Sequence, residues 1–118
     1  MALIEYDVYK QKLRDLEPEL KKLGDALDID AVAQEAARLE DETTQDGFWN
    51  NLEHSQKVSQ QIKRLESKVR KYDRLVSDWE DTLTLCEMAQ EEDDASQLPE
   101  VTSGYEALEK EMEQFGES

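Results

Sequence analysis

The sequence predicts an all-α protein, an elongated three-helix coiled-coil-like bundle with one additional short helix, built as a single domain over residues 1–118. Three observations predict it. Apolar residues recur at alternating spacings of three and four, the period of a helix face that packs on other helices. Glycine (four) and proline (two) are scarce, so few positions can turn sharply or stop a helix. Charged residues make up 37% and aromatics only 7%, the balance of long amphipathic helices.

In the first segment Tyr6, Tyr9, Leu13, Leu16, Leu20, Leu23 and Leu27 form the seam. Pro18 falls on the outer face and predicts a kink just before it. Gly24 is a candidate C-terminal cap, because it takes positive φ without penalty. A short second helix follows, with Asp28 as its expected N-cap and Ile29, Val32, Ala36 and Leu39 facing inward. The stretch DETTQDG then breaks the pattern with turn-forming residues.

From Asn50 to about Glu92 no glycine or proline occurs. Val58, Ile62, Leu65, Val69, Tyr72, Val76, Trp79, Leu83 and Cys86 form an unbroken 4-3-4-3 series. At 1.5 Å per residue this rod would be roughly 60 Å long. One apolar stripe cannot bury itself, so partners must lie along much of its length. EEDDASQLP ends the rod, since carboxylates oppose the dipole at a helix C-terminus and Pro99 cannot continue one. Leu98, Val101, Tyr105, Leu108, Met112 and Phe115 give the seam of a last helix. It starts either near Leu98 or at the capping-box pattern Ser103-x-x-Glu106. The first and last helices would pack antiparallel against the rod, with the short helix at one end.

The turn DGFWNN, residues 46–51, sets two large aromatics side by side. Asn50 is expected to cap the long helix, with Glu53 reciprocating and Trp49 preceding the cap as a hydrophobic staple. Phe48 and Trp49 would plug the bundle end, leaving Trp49 as well as Trp79 substantially buried. The competing reading is a direct ligand contact.

Chemistry finds little to work with. His54 is the only histidine and falls in the first turn of the long helix, with no nucleophile motif to serve; a surface or capping role is expected. Cys86, the only cysteine, lies on the seam as a small hydrophobe, permits no internal disulfide and suits a reducing compartment. DALDID lacks the glycine and distal glutamate of a calcium loop, and no glycine-rich phosphate loop occurs. No catalytic residue, metal or cofactor is therefore expected. The N-terminus MALIEYDVYK has acids where a signal peptide needs a basic and then an apolar run, and no long apolar stretch occurs. A cytoplasmic protein with no membrane partner is expected. The formal charge of −16 argues against wrapping DNA or other nucleic acid through bulk charge.

One stretch departs from the acidic background. Lys57, Lys63, Arg64, Lys68, Arg70, Lys71 and Arg74 face only Glu66 and Asp73 within residues 57–74, a local charge of +5. They fall away from the seam. Such a strip is either a solvated face paired with neighbouring acids or a docking strip for an anionic surface.

DGFWNNLEHSQKV opens the rod after the short DIDAVAQEAARLEDE helix, and this arrangement resembles the N-terminal helical domain of the bacterial peptide chain release factor 2 family. The resemblance covers essentially the whole chain. Phe48, Trp49 and Asn50, with Gln56 six residues on, are its most specific residues, and the aromatic pair favours the second factor over release factor 1. The family reads UAA or UGA with Ser-Pro-Phe and triggers peptide release with Gly-Gly-Gln. Neither tripeptide occurs here, so an isolated or truncated first domain is expected. For such a domain the resemblance implies docking to the ribosome near the base of the large-subunit stalk, and association with the recycling release-factor GTPase. On this reading Lys57, Lys63, Arg64, Arg70, Lys71 and Arg74 are the candidate partner-docking residues. The alternative from a different class is a stand-alone coiled-coil scaffold or adaptor.

Overall fold

Four α-helices account for nearly all of the computed structural model, which describes residues 2–117; Met1 and Ser118 of the predicted domain lie outside the described residues. They are α1 (Ala2–Ala26), α2 (Ile29–Glu42), α3 (Leu52–Glu91) and α4 (Leu98–Glu117), with 3-10 turns at Phe48–Asn50 and Ala95–Gln97. No strand occurs among the described residues. The chain divides into two compact units, one built from residues up to Leu23 and from Arg74 onward, the other from residues 24–73. Both use part of α1 and part of α3.

In the first unit α3 runs antiparallel to both α1 and α4. Early α1 meets late α3: Lys10 Nζ donates to Gln90 Oε1 at 2.8 Å, and the Cys86 thiol faces the Tyr6 carbonyl at 3.4 Å. Later α1 meets earlier α3, where the Trp79 indole donates to the Leu13 carbonyl at 2.6 Å. α4 lies parallel to α1, since Tyr9 meets Tyr105 edge-on at 5.8 Å and Leu23 lies near Gly116. Tyr6, Leu13, Leu20, Leu75, Trp79, Cys86, Val101 and Leu108 are buried between the three helices. The seams read from the sequence are the ones buried, and this unit is the expected three-helix bundle. Burial pushes the Cys86 thiol upward, which keeps it protonated and inert.

The α3–α4 connection is tied down by its own carboxylates. α3 ends where Asp93 enters the left-handed region at φ 53°, and Asp94 then accepts from the Ser96 backbone and hydroxyl at 3.0 and 2.6 Å. Those bonds hold the Asp94 carboxyl below its usual range. The Tyr6 hydroxyl donates to the Asp94 carbonyl, fixing the connection to α1. α4 begins at Leu98 with Pro99 in its first turn, where a missing N–H costs nothing, and Ser103 lies inside the helix.

The second unit packs α2 antiparallel to the N-terminal half of α3. Leu39, Phe48, Val58 and Ile62 form its core, with Leu65 packed against them. Ser55 is fully buried and satisfied, its hydroxyl donating to the Leu52 carbonyl at 3.0 Å.

α1 continues through Pro18, which lies on the outer face as expected, and on past Gly24. Three local expectations are corrected. Gly24 is not a cap: it is buried within the helix, and a methyl group there would lie 2.6 Å from the Tyr72 hydroxyl, so the position needs a small residue for close approach. Asp28 precedes α2 but makes no side-chain cap; its φ of 55° instead turns the chain between α1 and α2. The cap of α3 is Asn51 rather than Asn50. Asn51 Oδ1 accepts from the His54 N–H at 3.1 Å, while Asn50 sits in the 3-10 turn and its N–H bonds to the Gly47 carbonyl. Because the cap is one residue later than expected, Glu53 does not occupy the capping-box position and Trp49 is no staple.

The two tryptophans therefore separate. Trp79 is 9% exposed and Trp49 is 62% exposed. Trp79→Ala should cost about 3–5 kcal/mol of unfolding free energy, whereas Trp49→Ala should fall within about 0.5 kcal/mol of the parent. Urea denaturation followed by far-ultraviolet circular dichroism measures both, and equal losses would contradict the packing described.

Candidate functional site

α3 carries the basic strip because its seam faces the other helices and leaves the opposite side to solvent. Lys57, Lys63, Arg64, Arg70, Lys71 and Arg74 are all exposed, and Lys68 is half-buried. Of these, only Lys57 has an ion-pair partner among the described residues, Glu53 at 3.6 Å one turn earlier. The solvated-face reading expected the strip to be neutralised by acids of neighbouring helices. From Lys63 to Arg74 six cations meet two acids, a local charge of +4, and no carboxylate among the described residues lies within ion-pair distance of those six.

Arg70 stands apart from the rest. It lines a groove of about 330 Å³ between α2 and α3, together with Ala33, Ala36, Ala37, Glu40, Glu66 and Val69. Across that groove Glu40 shares a hydrogen bond with Glu66, which together with their mutual repulsion raises the Glu40 pKa. The two glutamates are 26 residues apart, and only the pairing of α2 with α3 brings them together.

The signature residues divide by role. Phe48 is 8% exposed and closes the α2–α3 core. Trp49 stands against it edge-on, ring centroids 4.9 Å apart, and projects to solvent. Asn50 and Gln56 are exposed. His54 has the surface role expected of it: its ring lies 5.8 Å from Phe48, and its Nε2 is 2.9 Å from Glu42 Oε1, linking the end of α2 to the start of α3. Sequence reasoning missed that pair and the exposed Leu52, because both depend on where α3 begins. No group of three or more His, Cys, Asp or Glu among the described residues could hold a metal ion. No helix among them is long and apolar enough to cross a membrane.

Comparison with known proteins adds what geometry alone does not. A family model described as the PCRF domain matches residues 32–118, from within α2 to the end of the chain. The chain belongs to the PCRF domain family. It is similar to peptide chain release factor 2 of Clostridium perfringens strain SM101, 32% identical over 111 residues, which covers 94% of this chain and 30% of that protein. The factor of the same name from Saccharopolyspora erythraea is 34% identical over 101 residues, or 86% of this chain and 28% of that protein. That from Petrotoga mobilis is 28% identical over 113 residues, 96% of this chain and 30% of that protein. The chain thus spans about three-tenths of the length of these curated relatives. No solved structure matches it. The PCRF match takes in the exposed cations of α3 and the aromatic turn together.

The Glu40–Glu66 pair yields a pH prediction. A carboxyl whose folded pKa is raised binds its proton more readily folded than unfolded, so stability falls as pH rises from the unfolded pKa through the raised one. Glu66→Gln should accordingly melt above the parent at pH 7, with the difference shrinking as the pH is lowered through that window. Thermal melts at pH 7 and pH 4 measure this, and equal melting temperatures at pH 7 would show that the two carboxylates do not oppose each other.

Proposed function

We propose that this chain is the N-terminal docking domain of a peptide chain release factor, acting in translation termination in the cytoplasm. The PCRF match and the relatives named release factor 2 support the termination role. Neither Ser-Pro-Phe nor Gly-Gly-Gln occurs in the chain, so its proposed part is attachment, and recognition of UAA or UGA and peptide release are assigned to other residues of a whole factor. The partner is the ribosome, at the base of the large-subunit stalk, with the recycling release-factor GTPase as a second.

The observation that carries this reading is the exposed cationic strip on α3. A chain of charge −16 is repelled by ribosomal RNA at long range. A strip of +4 without ion-pair partners from Lys63 to Arg74 orients one face toward phosphate once the surfaces are within a Debye length, about 8 Å at physiological salt. Lys63, Arg64, Lys71 and Arg74 are the residues to reverse, since Arg70 also borders the acidic groove.

Replacing those four with Glu should leave the helical fold intact, because surface substitutions away from caps and core change stability little. Association of the purified chain with ribosomes should slow about tenfold or more at low salt, with the difference narrowing as salt is raised. The parent chain should release no peptide from stop-codon-programmed ribosomes. An unchanged association rate at low salt, or peptide release above background, would overturn the proposal.

A further inference from the structure

The other exposed feature of the second unit has the opposite chemistry. Trp49 is 62% and Leu52 65% exposed, while Phe48, the neighbour in the same turn, is buried. We infer that this turn is a second docking surface, and that it takes a protein partner presenting an apolar socket ringed by lysine or arginine. The inference rests on the ribosomal reading for the assembly in which that partner is met.

The turn is held rigidly. Gly47 takes φ 82°, a conformation that suits glycine, and the backbone then closes a 3-10 turn with the Phe48 N–H on the Gln45 carbonyl and the Asn50 N–H on the Gly47 carbonyl. Phe48 anchors the turn in the α2–α3 core and Trp49 stands edge-on against it. The Asn51 cap and the His54–Glu42 contact fix the start of α3 on the end of α2. A large aromatic presented in one geometry loses little freedom on binding, and tryptophan is among the side chains that most often dominate interfaces.

Charge selects the partner. From Asp41 to Gln56 the chain carries four acids, Asp41, Glu42, Asp46 and Glu53, and no lysine or arginine. Lys57 follows and pairs with Glu53, which leaves Asp41, Glu42 and Asp46 as the net acidic charge of the turn. Aromatic platforms that stack nucleic-acid bases sit in cationic grooves that hold the phosphates, whereas a phosphodiester chain brought to Trp49 would meet carboxylates. A basic protein surface meets that acidic surround favourably and can bury Trp49 and Leu52 together. The cationic strip of α3 and the acidic aromatic turn would then engage RNA and protein respectively.

The test places a photo-crosslinking residue at the turn, Trp49→benzoylphenylalanine, in the 118-residue chain, with purified ribosomes as the probe. Co-sedimentation reports binding and irradiation reports what lies against position 49. The expected adduct is with a lysine- and arginine-rich ribosomal protein. Separately, Trp49→Ser together with Leu52→Ser should raise the dissociation rate about tenfold or more while leaving the helical fold unchanged. An adduct with ribosomal RNA, or with a second copy of the chain, overturns the inference. So does co-sedimentation with no adduct, which leaves the ribosomal reading standing; absence of co-sedimentation removes both.

Discussion

A 40-residue helix with an apolar stripe along its length must be covered along its length, and the rest of the structure follows from how α3 meets that demand. Its C-terminal half is covered from two sides, by α1 and α4, and its N-terminal half chiefly by α2. The difference shows in the burial. Where two helices cover it, the stripe widens to include the buried Leu75 and Ala89 beside Trp79 and Cys86, with Val76 and Leu83 half-buried; where one does, Val58 and Ile62 are buried and Leu65, Val69 and Tyr72 half-buried. At about 25 cal/mol per Å² of apolar surface removed from water, the wider contact makes the C-terminal half the more firmly held.

Short connections convert that packing into function. Asp28, Gly47 and Asp93 each take a left-handed backbone at a reversal of the chain, a conformation costing an ordinary residue about 1–2 kcal/mol and aspartate somewhat less. Two of the three are acidic, so the chain reverses with few glycines and its turns add to a negative surface. Against it the outer face of α3 is positive from Lys63 to Arg74. Within residues 24–73, one compact unit thereby presents two surfaces of opposite sign, a cationic helix face from Lys63 to Lys71 and an acidic turn topped by Trp49.

Whatever repeats was legible in the sequence. Every seam residue named for the four helices is buried or half-buried in the structure, because a 4-3 spacing leaves a helix only one way to hide its apolar side. Single positions were less legible. Two adjacent asparagines could each cap α3, and only the 3-10 turn preceding them decides for Asn51. Gly24 read as a stop signal, yet its reason is the Tyr72 ring lying across from it, a contact between residues 48 apart. Trp49 read as core by its size, but Phe48 already fills the space beneath, and a one-residue shift of the cap turns its neighbour outward. The cationic strip was visible as composition; that its cations from Lys63 onward lack ion-pair partners among the described residues is a fact of three dimensions.

α2 holds the N-terminal half of α3, so that both the strip and the aromatic turn ride on ordered helix. Hydrogen exchange of the α3 amides between Val58 and Tyr72 tests it most directly. The packing predicts exchange at least about a hundredfold slower than in an isolated peptide of the same sequence, since an unsupported helix opens at almost no cost in free energy. Exchange at the isolated-peptide rate, in a chain whose amides around Trp79 remain protected, would show that α2 does not hold this half of α3.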